Sequence, residues 1–380
     1  MLGVLLGIYL ARVGLSVAAT GAVITAGLAG AAVATLLGTV TADRVGRRRF
    51  LAALAILGAA GAVAAAMPLH PWAIGAAAFI GMLNGMGRDR GAALAIEQAV
   101  LPETAPDSER TRVIAWYNVL QDAGHALGSL MAGLPVAIRS VTGLGELGSM
   151  RACLFLYAAL ALVTLFIYAA LSSRIEAVAG KARVTISPET RRIIVRISAL
   201  FSIDSLGGGF LTTALISFYF FERFHVSEAV IGLLFFGARL ANAGSHLVAA
   251  WLSRRIGLVN TMVFTHIPSS LLLVTVAFAP NFPVAVVLFL LREGLVEMDV
   301  PTRQSYVMAV VKPEERTFAS GATALVRMAM WAVAPAFAGW LMQSASMALP
   351  LLIGAAMKIS YDILLWVAFR RVRPPEERSA

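Results

Sequence analysis

Twelve residues organise this chain: Gly38-Thr39-Val40-Thr41-Ala42-Asp43-Arg44-Val45-Gly46-Arg47-Arg48-Arg49. Uncharged, largely apolar residues 17–37 precede this stretch, and a second apolar run at 50–68 follows it. Both runs are long enough to cross a bilayer as helices, so the charged residues between them predict a turn at a membrane surface. Because short loops rich in Lys and Arg stay on the cytoplasmic side, the four arginines place this turn there.

The composition of the chain sets the class of protein. Of the 380 residues, 59% are hydrophobic and 14% are charged, and the mean hydropathy is +0.81. These values exclude a water-soluble protein of this length, and the apolar segments do not alternate as transmembrane β-strands do. The chain is therefore predicted to be an all-α membrane protein in a lipid bilayer. Its net charge of +10 reflects basic cytoplasmic loops and requires no nucleic-acid partner.

The apolar pattern predicts about 11 full transmembrane helices and a partial first one. In chain order, the twelve predicted spans are 1–10, 16–42, 50–68, 72–101, 113–138, 152–171, 193–221, 229–252, 261–279, 284–311, 318–342 and 351–369. The longest polar stretch, residues 172–192, is basic and is predicted to be a cytoplasmic linker. It separates an N-terminal helix bundle at 1–171 from a C-terminal helix bundle at 193–380.

An internal repeat relates these two bundles. Leu15-Ser16-Val17-Ala18-Ala19-Thr20-Gly21 resembles Val226-Ser227-Glu228-Ala229-Val230-Ile231-Gly232 at an offset of 211 residues, and the same offset pairs Gly46 with Gly257. A second offset of 206 pairs Glu109-Arg110-Thr111 with Glu315-Arg316-Thr317. Both bundles place basic loops on one side of the membrane, so the repeats are parallel. At the first offset the counterpart of the seventh span begins before Met1, which predicts a first helix truncated by roughly 20 residues.

The motif Asp-Arg-x-Gly-Arg-Arg-x at residues 43–49 resembles the loop between helices two and three of major facilitator superfamily transporters. The family usually has Gly four residues before the Asp, where this chain has Thr39. With the repeat, the resemblance implies the major facilitator fold of two parallel six-helix halves. It also implies a gate whose contacts form when the cytoplasmic side is closed. The implied gating residues are Asp43, Arg44, Gly46, Arg47 and Arg49; alternatively, the arginines only fix the topology.

Ionisable residues within predicted spans are costly in a bilayer and are functional by default. Several share one helix face, and the family architecture implies that helices one, four, seven and ten line a central cavity. The candidates for proton coupling are Asp122, His125, Asp204, Asp299, Glu293 and Glu297, with the Asp122–His125 pair preferred. The candidates for the substrate cavity are Arg88, Gln98, Asn118, Arg239, Asn242, His246, Arg292 and Arg303.

Each of these candidates has a structural alternative. Arg239, Arg292 or Arg303 could neutralise neighbouring carboxylates as buried ion pairs without contacting a substrate. Arg88 could lie at the cytoplasmic mouth and pair with Asp89. The histidines near predicted helix ends are expected to be interfacial; these are His70, His225 and His266.

No motif for ATP hydrolysis, zinc proteolysis or a serine nucleophile elbow is present, so the sequence predicts no enzyme, no cofactor and no metal site. The predicted function is secondary active transport of a small polar or anionic solute by alternating access, coupled to protons. A multidrug/proton antiporter that exports amphipathic compounds is the second interpretation. A transporter-derived receptor or scaffold without flux is the third. The protein is predicted to be a monomer in a bacterial inner (plasma) membrane with a cytoplasmic C-terminus.

Overall fold

The computed structural model describes residues 1–67, 70–86, 92–104, 110–176, 186–300, 303, 306, 311 and 315–369. Within these ranges the regular structure is helical and no strand occurs, which confirms the all-α prediction. The helices are α1 (Leu2–Arg12), α2 (Val17–Val45), α3 (Arg47–Ala66), α4 (Pro71–Gly81), α5 (Ala92–Thr104), α6 (Arg110–Leu130), α7 (Leu134–Thr142), α8 (Glu146–Ala170), α9 (Pro188–Phe210), α10 (Thr213–Phe224), α11 (Glu228–Ile256), α12 (Leu258–Ala277), α13 (Phe282–Val296), α14 (Arg316–Ser344) and α15 (Leu349–Phe369). Short 3-10 turns lie at Met131–Gly133 and Ser173–Ile175.

Eight segments of the described chain are long and apolar enough to cross a membrane, judged by length and composition. They are Val17–Val45, Arg47–Ala66, Glu146–Ala170, Pro188–Phe224, Glu228–Ile256, Leu258–Ala277, Gly321–Ser344 and Leu349–Phe369. α1 and α4 are shorter apolar helices. A membrane protein with many helical spans is thus confirmed, while the full count of spans stays a prediction.

The helices repeat at the same offset of 211 residues that the sequence repeat shows. Adding 211 to the bounds of α2 and α3 gives the bounds of α11 and α12. The glycine between the helices of each pair has a positive φ, +102° at Gly46 and +84° at Gly257. Only a residue without Cβ adopts such angles readily, so a single glycine suffices to end one helix and begin the next. The offset of 206 likewise relates Arg110 and Arg316, the first residues of α6 and α14.

The chain forms two compact units, each made of separate stretches of sequence. Unit 1 contains Met1–Lys181, Thr212–Phe236 and Pro335–Ala345. In unit 1, α3 packs against α4 and α8, α2 packs against α4, and α1 packs against α10. Glycines bring some of these backbones together: a Cβ added to Gly61 of α3 would lie 2.4 Å from the Cα of Gly81 in α4.

Unit 2 contains Ala182–Leu211, Gly237–Ala334 and Ser346–Ala380. In this unit α15 packs against α9 and α12, and α12 also packs against α13. Apolar side chains near one end of these helices form a buried cluster, which includes Ile197, Phe201, Met262, Tyr361 and Leu365. The charged residues described below lie next to this apolar cluster.

Several predicted spans are interrupted within the described residues, and three of these interruptions are as follows. The fourth span breaks after α4, where Met82 takes a left-handed conformation with φ +54°. The fifth span changes to a 3-10 turn at Met131–Gly133 before α7 begins. The seventh span is divided between α9 and α10, because Thr212 lies outside the helix and accepts a hydrogen bond from the Leu215 amide as an N-cap. The prediction of one continuous helix was therefore wrong at these three places.

Candidate functional site

A cluster of buried polar side chains lies in unit 2, among α9, α12, α15 and the residues that follow α13. Six ionisable side chains meet there, and each has less than a tenth of its surface exposed. We name this set the charged network; its members are Asp204, His266, Asp299, Arg303, Lys358 and Asp362. α9, α12 and α15 each contribute ionisable side chains to this buried cluster, so each side chain of the charged network lies beside a polar partner.

Asp204 of α9 is the centre of the network. Its Oδ1 accepts a hydrogen bond from Lys358 Nζ of α15 at 2.8 Å, and its Oδ2 accepts from Arg303 Nη1 at 3.1 Å. Arg303 Nη1 also donates to Asp299 Oδ2 at 2.9 Å. The Arg303 guanidinium lies over the ring of Phe201, 5.3 Å from its centre. Asp204 therefore joins α9 to two cations from separate parts of the chain.

His266 extends the network from α12 to α15. Its Nδ1 lies 3.0 Å from both carboxylate oxygens of Asp362, and its Nε2 lies 3.3 Å from Lys358 Nζ. The Lys358 ammonium group is only a donor, so in the neutral imidazole of His266 Nε2 accepts from Lys358 and Nδ1–H donates to Asp362. A continuous hydrogen-bonded path thus runs from Asp362 through His266 and Lys358 to Asp204.

Further charges surround this path. Arg327 of α14 interacts electrostatically with Asp204 and Asp299, and its guanidinium lies over the ring of Trp331, 4.8 Å from the centre. Glu297 interacts with Arg303. The Tyr361 hydroxyl is buried and has no hydrogen-bond partner among the described residues, so a polar atom is left available beside the network.

A second polar contact in unit 2 joins α11 to α13. Asn242 Nδ2 donates to Glu293 Oε2 at 2.9 Å, and Glu293 forms an ion pair with Arg292. All three side chains are buried, as is Arg239 one turn before Asn242. His246 on the same helix is only half-buried. The predicted polar face of the eighth span is therefore turned inward over most of its length.

The structure brings several predicted residues into contact and adds others that the sequence analysis missed. Asp204, Asp299 and Arg303 were predicted from their position within spans. His266 was expected at an interface, which is wrong: it is the ninth residue of α12 and is 1% exposed. Lys358 and Asp362 were overlooked, although both are ionisable residues in the middle of an apolar span and the same rule identifies them.

The predicted Asp122–His125 pair lies on α6 in unit 1. Both side chains are half-buried, while Asn118 on the same helix is exposed. His125 lines a cavity of about 630 Å³, whose other polar side chains are those of Asn84, Tyr157, Thr164 and Tyr168. The remaining lining is mostly apolar.

Other cavity candidates take different positions. Asn84, within the predicted fourth span, follows the left-handed Met82 and lies outside any helix. Gln98 belongs to α5, and Arg88 lies outside the described residues. Within the described part of the chain, no group of three or more His, Cys, Asp or Glu side chains could hold a metal ion.

The predicted gating loop is more compact than expected, because α2 and α3 are separated by Gly46 alone. Arg47 is buried and its Nε donates to Asp43 Oδ1 at 2.7 Å, whereas the Asp43 side chain is 63% exposed. Arg44 and Arg49 are exposed. The carboxylate that accepts hydrogen bonds from the first amides of α3 belongs to Glu176 and not to Asp43.

Glu176 supplies the carboxylate at the N-terminus of α3. Its Oε2 accepts from the Arg47 amide at 2.6 Å, and its Oε1 accepts from the Arg48 amide at 3.4 Å. A carboxylate at a helix N-terminus satisfies unpaired amides and opposes the helix dipole favourably. A Cβ on Gly46 would lie 3.4 Å from Glu176 Oε2, so glycine also leaves room for this acid.

Comparison with known proteins gives results that agree with this architecture. The sequence model of the family described as Major Facilitator Superfamily matches residues 1–203 and 197–380. An uncharacterized membrane protein of Saccharomyces cerevisiae is 24% identical over 326 residues, which cover 77% of this chain and 73% of the yeast protein.

Solved structures of transporters share the fold. The crystal structure of the nucleoside transporter NupG superposes with a TM-score of 0.73 at 17% identity, covering 97% of this chain and 94% of that one. The xylose transporter XylE from E. coli, in a partially occluded inward-open conformation, gives a TM-score of 0.71 at 16% identity, covering 99% and 94%. An auto-inhibited peptide transporter of the POT family gives 0.74 at 10% identity, covering 98% and 94%.

Proposed function

Because the chain belongs to the major facilitator superfamily, we propose that it moves a small polar or anionic solute across a membrane by alternating access, coupled to protons. The family and the fold are those of transporters and not of enzymes. Two similar helical blocks can expose a site between them first to one side of the membrane and then to the other.

The observation that carries this proposal is the charged network in helices that are otherwise apolar enough to cross a membrane. Asp204, His266, Lys358 and Asp362 lie within the segments Pro188–Phe224, Leu258–Ala277 and Leu349–Phe369. Charges at such positions are expensive and mark proton or solute pathways. An inert scaffold would have no need of them, since an apolar core of similar volume is often at least as stable.

We assign the finer architecture from the repeat. Twelve spans form two parallel halves at 1–171 and 193–380, joined by a linker at 172–192. The shared bounds of α2–α3 and α11–α12 support this assignment. The arginines at residues 370, 371 and 373 support a cytoplasmic C-terminus. We assign the protein to a bacterial inner (plasma) membrane as a monomer.

The residue roles follow the chemistry of each group. The gating residues are Asp43, Arg44, Gly46, Arg47 and Arg49. The sequence-based candidates for proton exchange are Asp122, His125, Asp204, Asp299, Glu293 and Glu297. The groups that contact the solute are Arg88, Gln98, Asn118, Arg239, Asn242, His246, Arg292 and Arg303. The buried contact of Asn242 with Glu293 supports a polar surface on α11 and α13.

The experiment is solute flux in proteoliposomes, with and without a pH gradient. Nucleosides and xylose are the first solutes to test, because carriers of these compounds share the fold; small organic anions and amphipathic cations complete the set. Protein-free liposomes measure leakage, and an Asp204→Asn variant reconstituted at equal density tests dependence on the charged network.

We expect a polar or anionic solute to accumulate only in the presence of the protein and to respond to the pH gradient. Accumulation of amphipathic cations against a proton gradient would favour the multidrug antiporter instead. Solute binding without flux in any direction would contradict transport and support the receptor or scaffold. Flux that is indifferent to the pH gradient would refute proton coupling and leave transport standing.

A further inference from the structure

We propose that His266 and Asp362 form the proton-binding site of this protein. Lys358 transmits the protonation state of that site to Asp204. The proposal rests on the proposed transport function and specifies where its coupling proton binds. It moves that site away from the preferred Asp122–His125 pair of α6 and into the contact between α12 and α15.

The hydrogen-bond roles in the charged network leave one place for a further proton. In the observed geometry His266 Nδ1–H donates to Asp362 at 3.0 Å, and Nε2 accepts from Lys358 Nζ at 3.3 Å. When a proton binds Nε2, the imidazole becomes a cation that has two donors and no acceptor. Its bond to Lys358 is then lost, while its bond to Asp362 becomes an ion pair.

Lys358 has a second partner that it keeps. Its Nζ lies 2.8 Å from Asp204 Oδ1, so repulsion from a protonated His266 shifts the ammonium group toward α9. Asp204 already binds Arg303 through its other oxygen. The protonation state of the α12–α15 contact is thus transmitted to the carboxylate that joins α9 to the rest of the network. Lys358 acts in this scheme as a positioning residue.

Charged groups from several elements surround the site. Among the described residues, the acids from α9, α15 and the residues after α13 are Asp204, Asp299, Glu297 and Asp362. The permanent cations from α14, α15 and the residues after α13 are Arg303, Arg327 and Lys358. His266 lies between two of these acids, because its Nδ1 is 3.0 Å from Asp362 Oδ2 and its Nε2 is 4.0 Å from Asp204 Oδ1. A proton on His266 therefore places a cation between two carboxylates, which favours proton uptake here.

The repeat indicates that this site is an addition to the scaffold. At the offset of 211 residues, the position of His266 on α12 corresponds to Ala55 on α3. Both residues are buried, so the helix itself does not need an ionisable group at this position. A histidine that was only a structural requirement of the repeated fold would be expected in both copies.

The decisive experiment measures protonation directly on purified protein in detergent, independently of solute flux. Histidine side chains labelled with ¹⁵N are titrated by NMR, and the carboxyl stretching band is followed by infrared spectroscopy over the same pH range. We expect His266→Gln to remove one imidazole titration. We expect Asp362→Asn to shift that titration and to remove a carboxylate band that changes with it. His70→Gln, which removes an exposed histidine before α4, serves as the matched control and leaves both signals in place.

Reconstituted flux then tests the link to coupling. His266→Gln and Asp362→Asn are expected to retain downhill exchange of solute and to lose accumulation driven by a pH gradient. Lys358→Gln is expected to retain the His266 titration but to lose the solute accumulation driven by a pH gradient. The double variant His266→Gln/Asp362→Asn removes both partners together and guards against misfolding of either single variant, since no buried group is left unpaired.

The outcomes separate the two proposals. Accumulation that survives in both single variants, or an imidazole titration that is indifferent to Asp362→Asn, overturns the proton-binding site. Absence of flux for the unmodified protein with every solute tested overturns the transport function, and the spectroscopic titration still decides whether His266 and Asp362 bind the proton.

Discussion

α3 and α12 have the same length and the same place in the repeat, but different chemistry holds them in the protein. α3 packs through backbone contact: a Cβ on Gly61 would meet the Cα of Gly81 at 2.4 Å and the carbonyl oxygen of Ala77 at 2.7 Å. α12 packs through buried polar groups, with His266 bonded to Asp362 of α15. The copies have therefore kept their helix bounds while their contacts diverged.

This difference shows which features the fold needs in both copies and which features can differ between them. The glycines at the start of α3 and α12 both have positive φ, because each copy turns at that point. The faces of the two helices have no such common constraint. Small residues allow one helix to approach its neighbour closely, whereas the other helix is joined to its neighbour by charge. The divergent face is thus the place to look for function.

Removal of Asp204 is expected to have the largest effect, because Arg303 and Lys358 would both lose a carboxylate in a buried setting. We expect Asp204→Ala to lower the free energy of unfolding by about 3–5 kcal/mol. The measurement is SDS-induced unfolding in mixed micelles. Asp122→Ala on α6 is the control: within the described chain that carboxylate makes no ion pair, so a change below about 1 kcal/mol is expected. Equal losses of unfolding free energy in the two variants would show that the buried charges of unit 2 contribute no more to stability than Asp122 does.

Addition of a methyl group to α3 tests the opposite mode of packing. Gly61→Ala places a Cβ against the backbone of α4 and is expected to lower the free energy of unfolding by about 1–3 kcal/mol. Gly58→Ala, one turn earlier on α3, has open space, since the nearest atom would be 3.9 Å away. It should be neutral or stabilise the protein by up to about 1 kcal/mol, because alanine restricts the unfolded chain. The same unfolding assay compares them, and a stable Gly61→Ala variant would refute close backbone packing.

The smallest expected effects concern the two acids of the gating loop. Glu176→Gln removes the charge at the N-terminus of α3 and is expected to lower the free energy of unfolding by about 0.5–1 kcal/mol. Asp43→Asn breaks a pair whose acid is 63% exposed, so a few tenths of a kcal/mol, roughly, is expected. Unfolding at low and high salt separates them, because salt screens the exposed pair more strongly. A larger effect for Asp43 would assign the cap to Asp43 instead.

Much of the helical plan could be predicted because bilayer length and apolar composition act locally. The predicted spans agree with the long helices to within a few residues at most ends, and the repeat predicted the equivalence of Gly46 and Gly257. The interruptions were not predictable in the same way. Met82 has no side-chain chemistry that favours a left-handed conformation, so only the packing around it can impose that backbone angle.

The candidate site was predicted only as a set of separate residues. The rule that ionisable residues within spans are functional identified Asp204, Asp299 and Arg303, and it applies equally to Lys358 and Asp362. Which cation meets which acid depends on how α9, α12 and α15 pack, and helical periodicity within one span does not contain that information. His266 was misplaced because α12 begins at Leu258, three residues before the predicted start of the span.

The mutual dependence of the charged network has an evolutionary consequence. Loss of Asp204 alone removes a carboxylate partner from Arg303 and from Lys358, although an apolar set of the same volume would serve folding as well. Intermediate sequences along any single-step route to that apolar set are therefore expected to be less stable than either end. Because partly replaced networks are unfavourable, related sequences are expected to keep all six residues or to have replaced them together.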